Sequence, residues 1–173
     1  IPSSLVGSEM CIRDRLNLSH AAPTSPPPDN LLKYLSEQSL LTENHLYGDV
    51  LGDITLREEI VNLWNEEYSS SICINNVAIT SGCNQAFCAA ISTIATAGDS
   101  ILVPVPWYFN HEMWLAMQGI NIIPIPCDIN MLPDIETTKK LIDKKTKAIV
   151  IVTPNNPTGV EYPSKLVGNI SNL

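Results

Sequence analysis

Three short stretches carry residue types suited to holding a flat molecule that bears a phosphate. The first, Thr80-Ser81-Gly82-Cys83-Asn84-Gln85-Ala86, is a small-residue turn leading into a helix-forming stretch. Such a turn leaves backbone N–H groups unpaired beside the positive end of a helix dipole, which suits an anion. Glycine also serves strand-to-helix turns for geometry alone. Neither GxGxxG nor GxxxxGK[ST] occurs, so the fingerprints of dinucleotide and nucleoside triphosphate sites are absent. The second stretch, Pro104-Val105-Pro106-Trp107-Tyr108-Phe109-Asn110-His111, sets three consecutive aromatics before a histidine. A ring there stacks on a flat ligand or fills a core; Trp107 and Phe109 are expected to point inward and Tyr108 to face a site. His111 taken alone reads as a hydrogen-bonded structural histidine. The third, Thr153-Pro154-Asn155-Asn156-Pro157-Thr158-Gly159, offers two amides as neutral donors to an anionic ring oxygen. Its Asn-Pro and Thr-Gly dipeptides equally make a plain turn.

The elements around these stretches alternate. Residues 77–80 read as a strand, 85–96 as a helix, 100–103 as a strand, 110–118 as a helix stopped by Gly119, and 120–125 as a strand. Asp134 is placed to cap a helix reaching about residue 143, and 147–152 read as a further strand. Upstream, Asp29 is placed to cap a helix through Leu31, Leu32, Leu35 and Leu40. Thr55 or Asp53 is placed to start another through Leu56, Ile60, Leu63 and Trp64. Alternating strands and helices point to an open α/β sheet with parallel strands. In such sheets ligands sit beyond the carboxyl ends of the strands, where all three stretches fall.

Four motifs then occur in one order: Tyr47-x4-Gly52-x3-Leu56-Arg57, Thr80-Ser81-Gly82-x2-Gln85-Ala86, Pro106-x-Tyr108-x2-His111, and Asn156-Pro157-Thr158-Gly159. Over residues 16–173 the chain resembles the first half of the fold type I, pyridoxal-phosphate-dependent aminotransferases of class I and II. The resemblance implies a three-layer αβα arrangement on a mostly parallel sheet, in truncated form. It makes 16–46 an N-terminal segment and 47–173 a partial cofactor-binding large domain. It implies that backbone amides of Cys83 and Asn84, beside Gly82, hold the phosphate of pyridoxal 5'-phosphate. Tyr108 would stack on the pyridine ring, and Asn156 would donate to its phenolic oxygen. Tyr47 would reach the neighbouring subunit's phosphate in a homodimer, and His111 would support the acidic partner of the ring nitrogen. Ala21 falls where many relatives carry glycine near the substrate carboxylate. In the family that acidic residue, the lysine that binds the cofactor and the carboxylate-gripping arginine all follow the Asn-Pro-Thr-Gly loop. No catalytic residue is therefore assigned, and the chain reads as an enzyme fragment inactive alone. The implied reaction is amino-group transfer between an amino acid and a 2-oxo acid. The same loops would serve a pyridoxal-phosphate lyase or decarboxylase, or a non-catalytic phosphate-binding module.

Composition agrees with a globular chain: of 173 residues 45% are hydrophobic and 16% charged, enough apolar surface to offset chain entropy. The net charge of −8 opposes binding to nucleic acid or to anionic membranes, and neither is an expected partner. Apolar runs such as 148–152 fall far short of a membrane span. Cys11, Cys73, Cys83, Cys88 and Cys127 form no CxxC pair, so no metal is expected, and free thiols suit the cytoplasm. Residues 1–15 show no apolar periodicity and read as an artefactual or disordered tail.

Overall fold

The computed structural model describes residues 25–173. Residues 1–15 and Ala21 lie outside the described residues. The chain divides into two units, Ile1–Tyr47 and Gly48–Leu173.

In the first unit, α1 (Asp29–Gln38) is followed by a 3-10 turn, Thr42–His45. Pro28 rather than Asp29 occupies the capping position, and no side chain caps the helix. Three consecutive prolines hold the chain extended up to residue 28, so Asp29 becomes the first helical residue, where its charge complements the dipole. Leu31, Leu32 and Leu35 are exposed within this helix, and Leu40 lies beyond its end.

The second unit opens with α2 (Ile54–Tyr68), capped by Asp53, whose carboxylate accepts from Leu56 N at 2.9 Å. A 3-10 turn at Ile74–Asn76 precedes α3 (Cys83–Ile94), β1 (Ser100–Val105), α4 (Phe109–Met117) and β2 (Asn121–Pro126). The unit ends with α5 (Ile135–Leu141), β3 (Thr146–Ile149) and α6 (Ser164–Ser171). The strands form one parallel sheet in the order β2-β1-β3. Central β1 is buried through Pro104, so both sheet faces are covered, as parallel sheets require. Ile101 and Val103 on one face join Ile91 of α3, Ala95 just past its end, Leu115 of α4 and Ile120 in the main core cluster. Leu102 and Ile125 lie on the other face, also fully buried. Both α4 and α5 pack on β2.

Residues 77–80 do not form a strand. Their β-branched side chains favour extension, but a strand needs a ladder, and the backbone groups here are used differently. Ile79 N donates to the loop carbonyl of Leu51 at 2.8 Å. The buried Arg57 guanidinium donates to the carbonyls of Val77 and Ile74, each at 2.9 Å. Strand β3 is shorter than the 147–152 run, yet Val150 N still donates to Leu102 O at 2.9 Å, so pairing continues past its end.

Candidate functional site

The cleft forms where the strand order reverses. The connection leaving β1 runs to β2 on one side and β3 lies on the other, which is where open α/β sheets bind ligands. A cavity of about 350 Å³ opens there, lined by Ser81, Gly82, Cys83, Asn84, Tyr108, His111, Val152 and Asn156. That volume suits a small cofactor.

One wall is the start of α3. Gly82 takes the capping position at φ 86° and ψ 166°, a region open essentially to glycine alone, and no side chain caps the helix. Gln85 turns back to accept from Ser81 N, and Ala86 N donates to Gly82 O at 3.3 Å. Among the described residues no group accepts from the backbone N–H of Cys83, Asn84 or Gln85. A Cβ built on Gly82 would meet nothing within 4 Å, and Gly82, Cys83 and Asn84 all line the cavity.

The second wall follows β1. Trp107 packs against the main core, as its position suggested, while Phe109 is 60% exposed, contrary to expectation. Residues two apart share a face only while the chain is extended, and α4 begins at Phe109, which ends the alternation. Tyr108 lines the cleft, and its hydroxyl accepts from Asn110 Nδ2 at 2.7 Å. His111 is buried, with its ring 4.2 Å from that of Phe87 and edge-on to Tyr108. It is not the satisfied histidine that its sequence position suggested: Nδ1 is buried without a hydrogen-bond partner among the described residues. Burial alone pushes its pKa below the ordinary imidazole value, which favours a neutral ring.

The third wall follows β3, and here the two amides separate. Asn155 is buried and bonded within its own loop; Asn156 is exposed and lines the cleft. The exposed lysines Lys139, Lys140, Lys144, Lys145, Lys147 and Lys165 line no part of it.

Residues 13–173 match the family described as aminotransferase class I and II. The chain belongs to that family. It is 28% identical over 92% of its length to a probable aspartate aminotransferase of Methanocaldococcus jannaschii, spanning 42% of that protein. It is 32% identical over 90% of its length to a glutamate-pyruvate aminotransferase of Haemophilus influenzae, spanning 39% of it. Among solved structures, an alanine aminotransferase from Pyrococcus furiosus superposes with a TM-score of 0.79 at 29% identity, covering 86% of this chain and 38% of that one. The chain thus spans about two fifths of the length of these relatives.

Members of this aminotransferase family use pyridoxal phosphate. The cleft's donor set fits that group: its lining brings together uncapped N–H groups for a phosphate dianion, an aromatic ring, an exposed amide, and an imidazole whose buried Nδ1 has no partner among the described residues. Gly82, Cys83, Asn84, Tyr108, His111 and Asn156 are brought together around it. Tyr47 is fully exposed at the end of the first unit. Ser81 and Val152 also line the cleft and were not singled out; Val152 could have been found as the last residue of the apolar run before the third loop. Arg57 was quoted only within a motif, and a lone arginine in an amphipathic helix gives no signal of burial.

Proposed function

We propose that this chain supplies the phosphate, ring and phenolic-oxygen contacts of a pyridoxal-phosphate-dependent aminotransferase acting between an amino acid and a 2-oxo acid. The observation that carries the reading is the single cleft that draws on three loops spread over residues 81–156. In this reading the backbone N–H groups of Cys83 and Asn84, freed by the Gly82 conformation, bind the phosphate at the positive end of α3. Tyr108 covers one face of the pyridine ring and excludes water from it. The Asn156 amide donates to the phenolic oxygen and favours its anionic form. His111, neutral and buried, holds the acidic partner of the ring nitrogen through Nδ1. When bound, the cofactor supplies an electron sink for the substrate's α-carbon. Tyr47 contributes to the neighbouring subunit's phosphate in a homodimer. Four free thiols among the described residues, Cys73, Cys83, Cys88 and Cys127, fit the cytoplasm. No helix among the described residues is long and apolar enough to cross a membrane.

The test uses pyridoxine 5'-phosphate, which lacks the aldehyde and so forms no adducts with the exposed lysines. Titrated into the chain, it should quench tryptophan and tyrosine fluorescence saturably, and inorganic phosphate should compete. Saturation that inorganic phosphate does not displace and that Tyr108→Ala leaves unaltered would overturn the reading.

A further inference from the structure

We infer that Asn155, which does not line the cleft, is a positioning residue that aims the Asn156 amide at the ring oxygen; this rests on the reading of the cleft given above. By residue type the two asparagines are equivalent, and the structure separates them. Asn155 is 7% exposed, and its polar groups are consumed inside the loop. Its Oδ1 accepts from Thr158 N at 3.2 Å and from Thr158 Oγ1 at 2.8 Å. Its Nδ2 donates to the Tyr162 hydroxyl at 3.4 Å. Its backbone N donates to Val160 O at 2.8 Å, and its carbonyl accepts from Gly159 N at 2.7 Å.

A backbone N–H only donates, so Thr158 N fixes which end of the Asn155 amide carries the oxygen and leaves the NH₂ end for Tyr162. Tyr162 is itself 4% exposed, and its own N donates to Thr153 Oγ1 at 2.8 Å, which ties the anchor to the start of the same loop. The peptide leading into Asn156 is therefore clamped on both sides of residue 155. Asn156 makes no side-chain hydrogen bond among the described residues, so its direction into the cleft is inherited from that clamp.

The experiment compares the affinities of the chain for pyridoxine 5'-phosphate and for the analogue lacking the ring's phenolic oxygen, with inorganic phosphate as a third ligand. A hydrogen bond to a charged oxygen makes the parent prefer the oxygen-bearing ligand by about tenfold or more. Asn156→Ala should bring that preference close to unity. Asn155→Ala should do the same while leaving inorganic phosphate affinity within about twofold, because α3 is untouched. General loosening of the fold would weaken both ring ligands alike and leave their ratio at the parental value, which would overturn the inference. Should Asn155→Ala fail to fold, Thr158→Val removes one donor to Oδ1 at nearly constant volume. It should lower the ratio, and Thr158→Ser should restore it; a parental ratio in Thr158→Val counts against the clamp. In a separable outcome, a parent or Asn156→Ala protein whose ratio contradicts these values shows that Asn156 does not meet the phenolic oxygen, and the inference falls together with the reading beneath it.

Discussion

Gly82 combines a backbone open essentially to glycine with empty space where a side chain would begin. Gly82→Ala therefore meets no clash but carries conformational strain of roughly 1–3 kcal/mol. Denaturant unfolding should register that loss, and inorganic phosphate affinity should fall with it as the start of α3 shifts. For Tyr108, replacement by Ala removes the ring and should weaken pyridoxine 5'-phosphate binding by about 1–3 kcal/mol. Tyr108→Phe keeps the ring and loses only the Asn110 hydrogen bond, for which about 0.5–1.5 kcal/mol is the scale. Isothermal calorimetry on the two variants separates stacking from orientation. His111 gives a pH signature. Burial holds its pKa below the ordinary 6.5, so above that value the ring is neutral whether the chain is folded or not. As pH falls below 6.5 the unfolded chain takes up the proton first, and stability declines until the folded imidazole titrates in turn. Urea midpoints followed from pH about 7.5 to 5 should drop, and His111→Gln should flatten that part of the profile.

Among the elements, the segment between α2 and α3 depends on close approach rather than on a ladder. Gly52 stands at φ 100°, and a Cβ there would come within 2.5 Å of Ile79 Cβ. Gly52→Ala should destabilise the second unit by roughly 1–3 kcal/mol from overpacking, beyond its left-handed strain. Asp53→Ala, one residue on, removes only the cap of α2 and should cost about 1 kcal/mol. Thermal unfolding of the pair checks that order. The same stretch marks where the sequence stops being legible. Helices with a capping aspartate, such as α2 and α5, and the β-branched runs of β1 and β2 were readable because propensity, cap and periodicity agree locally. Residues 77–80 misread as a strand because propensity reports extension and says nothing of a partner. The three site loops were readable by position after apolar runs and by motif. The different duties of Asn155 and Asn156 were not, because burial is a property of the folded loop and the two residue types are identical.

For the molecule as a whole, the apolar surface left open is large. Leu31, Leu32 and Leu35 are exposed in the first unit, and Leu56, Leu63, Trp64 and Tyr68 are exposed along α2 in the second. Exposed apolar side chains so grouped drive association. Sedimentation velocity should show concentration-dependent self-association, increasing as the pH is lowered and the net charge of −8 shrinks. A monodisperse monomer throughout would contradict that. The strand order also sets a timetable for the nascent chain on the ribosome. Strand β1 ends at Val105 and gains its second neighbour only when β3, opening at Thr146, has been made. At roughly 5–20 residues per second the intervening stretch takes about 2–8 seconds to synthesise. Through that interval one edge of the most apolar strand waits unpaired, which is time enough for a chaperone to reach it before its own partner does.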